Sequence, residues 1–347
     1  SLGINNRNVG NYTKSMLTAT MSAVGFTAGV AGMINGFKQI IQLSRDYEKK
    51  NAELAAVLGK TVKETQLLQS ESRRLGASTA FSATEVVELQ TELARLGKTE
   101  GEIVAMTKGI IDATLAMGGS TADTAALVGA TLNAFQLEAA ESARIADVMT
   151  LATNKSALSF AYLNTALPTV SGAAKAAGFS FEETVAMLGK LADRGIEAST
   201  AATSMRSIFL SLAGSGMTLD ESLNMINGST NKLNTSYELF GERAAVAGLA
   251  LAENIDASKE LAIELENAGG TADRVANEQL DTLDGQLRLL SSAWEELALS
   301  AANSESIIGK VSKGIVKSIT SIIEQFTIMT GEIKGDELNG WEKFTLR

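Results

Sequence analysis

The segment SATEVVELQTELARLG, residues 82–97, carries the local signals of one complete amphipathic helix. Ser82 stands three residues before Glu85, so its hydroxyl can accept a hydrogen bond from the Glu85 amide while the carboxylate accepts one from the Ser82 amide. Apolar residues then recur at steps of three and four, and Gly97 follows as a stop signal. The segment predicts a helix that begins after Ser82 and buries one face.

The same Ser/Thr-x-x-Asp/Glu spacing recurs along the chain and predicts an array of short helices. These capping motifs begin at Ser82, Thr99, Ser120, Ser180 and Thr218. With the apolar periodicity, they predict helices at about 121–135, 139–153, 157–177, 181–194, 197–213, 218–227, 235–254 and 256–268, after a long polar helix over 44–75. Gly97 and Gly118 are predicted to end the two helices that follow Ser82 and Thr99.

Composition supports an all-α fold and excludes several kinds of chemistry. Of 347 residues, 45% are hydrophobic and 5% aromatic, so closely packed helices rather than aromatic plugs would form the core. The single proline, Pro168, is predicted to kink or delimit a helix. Without Cys or His, the chain has no disulfide, zinc finger or His-based catalysis. We therefore expect a protein that is not an enzyme, with no catalytic residue, metal or cofactor.

An uncharged segment runs from Ser15 to Phe37, 23 residues bounded by lysines. It contains Gly25, Gly29, Gly32 and Gly36, whose spacing lets helix backbones approach closely. One interpretation is a Gly-faced helix packed in a homo-oligomeric bundle. The other is a segment that enters a membrane, since its length could span a bilayer. Six of its residues are Ser, Thr or Asn, which favours the packed helix.

Beyond Gly270 the apolar pattern changes to a heptad seam sustained from Ala276 to Ile315. Its central candidate residues are Leu280, Leu283, Leu287, Leu290, Trp294 and Leu297. The flanking positions are mostly uncharged, which favours a multi-helix bundle over a dimer specified by charge. Residues 307–333 also form a basic amphipathic pattern, with Lys310 and Lys313 beside apolar residues. Continuation of the bundle is the favoured interpretation, and binding to a membrane surface is the alternative.

These patterns divide the chain into three predicted parts. Residues 1–43 form a Gly-rich apolar N-terminal helix, 44–270 a helical core, and 271–347 a coiled-coil or amphipathic helical segment. The predicted fold is therefore all-α: short capped amphipathic helices followed by a long heptad-patterned helix, in a homo-oligomeric bundle. The net charge of −10 argues against broad nucleic-acid binding, and we expect no sequence-specific contact with nucleic acid.

Several short motifs, in order, closely resemble the core region of phage tail tape measure proteins. The first are residues 75–85 and 92–97, which surround the opening helix. The others are residues 133–135, 143–148, 170–178, 191–199, 203–206, 239–245 and 280–287. Each motif alone is a weak signal of Ala, Gly and Leu, but their order and spacing hold from about Tyr47 to Ile315.

The resemblance implies a structural virion protein inside the phage tail, made in the host cytoplasm. Such a protein would occupy the lumen of the tail tube as a homo-oligomer, a trimer or another small multimer. It would template tail-tube assembly and leave at infection to aid genome delivery. Its implied partners are the tail tube protein, tail tip or baseplate proteins, tail assembly chaperones and the host membrane. The alternative function is a membrane-active helical protein, either a pore former or an injected effector.

Overall fold

The computed structural model describes residues 26–302, with the side chains of 42–282 and 284–300. All regular structure in this range is helical, which confirms the predicted all-α class. The first eight α-helices are α1 Phe26–Val57, α2 Gln66–Gly76, α3 Ala83–Arg95, α4 Glu100–Met117, α5 Thr121–Phe135, α6 Ser142–Lys155, α7 Phe160–Ala176 and α8 Phe181–Asp193. They continue as α9 Ala198–Ser215, α10 Leu219–Gly228, α11 Lys232–Phe240, α12 Ala245–Glu253, α13 Ile255–Glu266, α14 Thr271–Leu280 and α15 Leu283–Ala302. Short 3₁₀ turns occupy Val62–Thr65 and Ala139–Glu141.

Contacts group the described residues into two units. Residues 47–293 form one unit, and 26–46 with 294–302 belong to the other. Helix α1 runs without a break through residue 43, where the sequence analysis placed a boundary. In the larger unit α7 packs on α9, α3 on α5, α8 on α13, and α4 on both α6 and α14.

Reciprocal capping occurs at four of the five predicted motifs, those beginning at Ser82, Thr99, Ser180 and Thr218. At Ser120 only half of the arrangement forms. The Ser120 hydroxyl accepts from the Asp123 amide at 3.0 Å, but the Asp123 carboxylate bonds to that hydroxyl rather than to the Ser120 amide. Asp is one methylene shorter than Glu, which accounts for the missing contact. Gly97 and Gly118 follow helix ends with φ of 81° and 78°, as predicted.

Two predicted helix limits are wrong. The helix predicted over 44–75 is interrupted after Val57, because Gly59 adopts a φ of 66° and a new capping box begins at Thr61. In that box the Glu64 carboxylate accepts from the Thr61 amide at 2.8 Å. The helix predicted over 235–254 is likewise divided at Gly241, which has a φ of 78°. Pro168, predicted to kink or delimit a helix, lies inside α7 and does not delimit it.

The core is made mainly of alanine and medium-sized aliphatic side chains, as the composition predicted. Phe181 and Phe209 are its largest fully buried side chains. Phe181 meets Phe135 edge to face at a centroid distance of 5.6 Å, and Phe209 lies 4.6 Å from Phe179. Small residues bring helices close. At Gly76, for example, an added Cβ would lie only 2.5 Å from the Ala83 backbone nitrogen.

Candidate assembly interface

Helix α15 exposes its apolar side. Leu287, Leu290, Trp294 and Leu297 are 56%, 67%, 55% and 43% exposed. Their spacing of three, four and three places them along one face, which we call the seam. Ser292, Glu295 and Leu299 on other faces are buried, and so is Ala298, which lies one turn after Trp294 beside the seam.

Helix α15 buries Ala298 and Leu299 and also exposes an apolar row, whereas a surface helix usually turns its apolar stripe inward and a polar face outward. An exposed row of leucines and a tryptophan is typical of a surface that associates with another molecule. Covering the exposed half of each side chain would contribute about 1 kcal/mol. The seam is therefore the best candidate interface in the described chain.

The heptad pattern was predicted to continue through one long helix, but the structure divides it between α14 and α15. The helix is interrupted at Asp281 and Thr282. The Thr282 hydroxyl accepts a hydrogen bond from the Gly285 amide at 3.1 Å and caps α15. Leu280 ends α14 and is partly buried, and Leu283 opens α15 with its side chain outside the described set. In the sequence, this break is signalled by Thr282, because Thr is a preferred residue at the start of a helix.

Ala276, at the start of the predicted seam, is instead part of the core and is 3% exposed. On the same helix, Ala272 packs in a cluster with Ala113 of α4 and Ala146 of α6. Helix α14 therefore packs on α4 and α6 through small side chains.

Asp147 fixes the beginning of α14 from a distant part of the sequence. Its carboxylate on α6 accepts from the amides of Gly270 and Ala272, each at 2.8 Å. Asp147 is 9% exposed, so it acts as a buried N-terminal cap supplied by a neighbouring helix. The short-range motifs used in the sequence analysis could not reveal this pairing.

A second polar contact lies on the same helix. The Lys108 ammonium of α4 binds the Asp112 carboxylate at 2.5 Å and the Asp273 carboxylate of α14 at 3.0 Å. Burial alone would lower the pKa of Lys108. The hydrogen bonds from Lys108 to Asp112 and Asp273 outweigh this effect, so the pKa of Lys108 is raised above its ordinary value. Burial raises the pKa of Asp112, against the opposing effect of Lys108. The ammonium thus ties α14 to α4 at the protein surface.

The N-terminal glycine motif lies only partly in the described range. Gly29, Gly32 and Gly36 belong to α1, spaced so that they share one face, and Gly25 lies outside the described residues. Between residues 26 and 302, none of the helices combines the length and the apolar character needed to cross a membrane. The basic amphipathic segment 307–333 falls outside that range.

The described residues contain no cluster of acidic side chains that could hold a metal ion. An all-helical body with an exposed apolar seam is expected of a protein that assembles with other chains. The comparisons with known proteins agree with this class. Residues 69–303 match the model of the phage-related minor tail protein family. The match covers more than half of the chain, which belongs to this family of structural tail proteins.

Curated relatives carry the same indication. The chain is 26% identical over 338 residues to the tape measure protein of Pneumococcus phage Dp-1, covering 88% of this chain and 29% of that protein. It is 27% identical over 356 residues to the probable tape measure protein of Escherichia phage P2, covering 93% and 42%. The chain thus spans less than half the length of either relative. No solved structure matches it significantly.

The family assignment confirms the resemblance inferred from the short motifs. The chain is a structural component of the phage tail rather than an enzyme, as predicted.

Proposed function

We propose that this chain is the helical core of a tail tape measure protein that sets the length of the tail. In this proposal several copies associate through the α15 seam and lie in the lumen of the tail tube. They template polymerisation of the tail tube protein, contact tail tip or baseplate proteins, and are kept soluble by tail assembly chaperones until assembly. At infection they leave ahead of the genome and aid its delivery through the host membrane.

The observation that carries the association step is the exposed apolar row of α15. A helix whose leucines and tryptophan face solvent gains stability when a partner helix covers them. The uncharged flanks of the heptad pattern favour a trimer or another small multimer.

Self-association is tested by multi-angle light scattering of the 347-residue chain. We expect a small multimer, and we expect the double variant Leu290→Asn with Trp294→Asn to weaken association at least about tenfold, since each loses about 1 kcal/mol of apolar contact. The matched control is Leu210→Asn with Leu233→Asn, which removes two exposed leucines elsewhere, 56% and 49% exposed. A monomeric wild type, or equal weakening by both pairs, would contradict the association step.

The ruler role is tested in the phage, on the full-length gene. An α-helix rises about 1.5 Å per residue, so deleting about 40 residues from an extended helical region outside residues 69–303 should shorten the tail by about 60 Å. Restoring the number of residues with an unrelated helical sequence should restore the length. Electron microscopy of virions measures both, and unchanged tails in the deletion strain would refute the role.

A further inference from the structure

The larger unit contains a groove of about 750 Å³ between the N-terminal halves of α8 and α10, the end of α9, and α13. Its walls are mostly apolar and include Met187, Met217, Leu219, Ile255 and Ile263. Ile263 is 60% exposed, so the chain leaves part of this apolar wall uncovered. Methionine side chains on both walls can adjust to an occupant because they are unbranched and flexible.

The rim of the groove is acidic. Glu183, Asp220 and Glu266 lie around it, and Lys259 is the basic residue among its lining side chains. Lys259 pairs with Asp220 at 2.6 Å and joins α13 to α10. Three carboxylates and one ammonium give the rim a net charge of −2. This charge favours a basic occupant and disfavours an anionic lipid surface.

We propose that this groove binds an amphipathic helix of a partner protein, with an apolar stripe flanked by Lys or Arg. A helix satisfies its own backbone hydrogen bonds, and the described residues form no strand whose edge an extended peptide could join. Apolar side chains at spacings of three and four enter between Met187, Met217 and Ile263, and basic side chains pair with the carboxylates of Glu183 and Glu266.

The probe is a fluorescein-labelled peptide of about 18 residues, with leucines on one helical face and lysines beside them. Its anisotropy is followed during titration with the 347-residue chain. We expect saturable binding that weakens as salt is raised from about 0.05 M to about 0.3 M. Two control peptides are compared with it. One keeps the leucine stripe but has Glu in place of each Lys, and the other has the same residues in scrambled order. Each should bind at least about tenfold more weakly.

Two matched substitutions locate the binding. Ile263→Asn should weaken the lysine peptide at least about fivefold, because it removes an apolar contact inside the groove. Val246→Asn, on α12 outside the groove and 63% exposed, should leave the affinity unchanged. Both positions are on the surface, so both variants should keep the wild-type circular dichroism and melting temperature.

The proposal is overturned if the lysine and glutamate peptides bind equally, or if the two substitutions have the same effect. Binding through the seam of α15 would be insensitive to Ile263→Asn, so that outcome also counts against the groove. Failure of this test leaves self-association through the seam untouched, because the light-scattering measurement does not involve the groove.

Discussion

Asp147→Ala should release α14 from α4 and α6 without unfolding the other helices of the larger unit. The substitution removes both hydrogen bonds that Asp147 accepts from Gly270 and Ala272. The Ala272 amide is left without a partner in a buried position, whereas Gly270 is exposed and can bond to water. The Lys108 contact with Asp273 remains, at the solvent-exposed end of the same interface.

The expected loss follows from these surroundings. A buried amide without a partner costs about 1–3 kcal/mol, and the lost bond to Gly270 adds about 1 kcal/mol. Asp147→Ala should therefore weaken the docking of α14 by about 2–4 kcal/mol. The two buried alanines of α14 contribute roughly 0.8 kcal/mol for each methyl group, so the carboxylate contributes at least as much as the apolar contacts. Asp147→Asn retains one acceptor oxygen and should cost about 1–2 kcal/mol.

Hydrogen exchange detected by mass spectrometry measures the stability of α14 separately from that of the other helices. The amides of residues 272–280 should lose protection by about 30- to 1,000-fold in Asp147→Ala, while those of α7 and α9 keep theirs. Asp256→Ala, an exposed carboxylate on α13, is the control and should change neither region. Unchanged protection of α14 would refute the reasoning, and so would an equal loss along the whole chain.

Three further outcomes are expected. Ser82→Ala should lower the free energy of unfolding by about 1 kcal/mol in urea titration, since it removes the α3 cap, and Ser82→Thr should restore most of it. Gly76→Ala should cost about 1–3 kcal/mol because its Cβ would meet the Ala83 backbone, whereas Gly172→Ala, with no atom in the way, should stabilise α7 by up to about 1 kcal/mol. The pKa of Glu102 is lowered by its hydrogen bonds to Thr99, so its contribution is present above the ordinary pKa of 4.5 and is lost as pH falls below it. Glu102→Gln should therefore flatten the decline of melting temperature between about pH 5 and pH 3, and an unchanged slope would contradict this.

The predictable part of the fold is the part that short-range hydrogen bonds determine. A Ser or Thr and a Glu three residues later are visible in the sequence, and they locate the starts of α3, α4, α8 and α10. Thr61 and Glu64 have the same spacing, and this motif marks the break after α1.

The unpredictable part depends on contacts between distant residues. Asp147 and Gly270 are 123 positions apart, and nothing near either one signals the pairing. The seam could be located from its spacing, but Ala276 has the same spacing and is buried in the core. Periodicity shows which residues share a face. Whether that face meets the same chain or another molecule depends on the tertiary fold.

The capping boxes also bear on how the chain would respond to a pulling force. Each box joins residues only three positions apart, so it stays intact when neighbouring helices separate. The long-range ties of α14, through Asp147 and Lys108, would yield before the caps do. Extension of this chain should therefore proceed in discrete steps, and each step should detach one helix that keeps its helical hydrogen bonds.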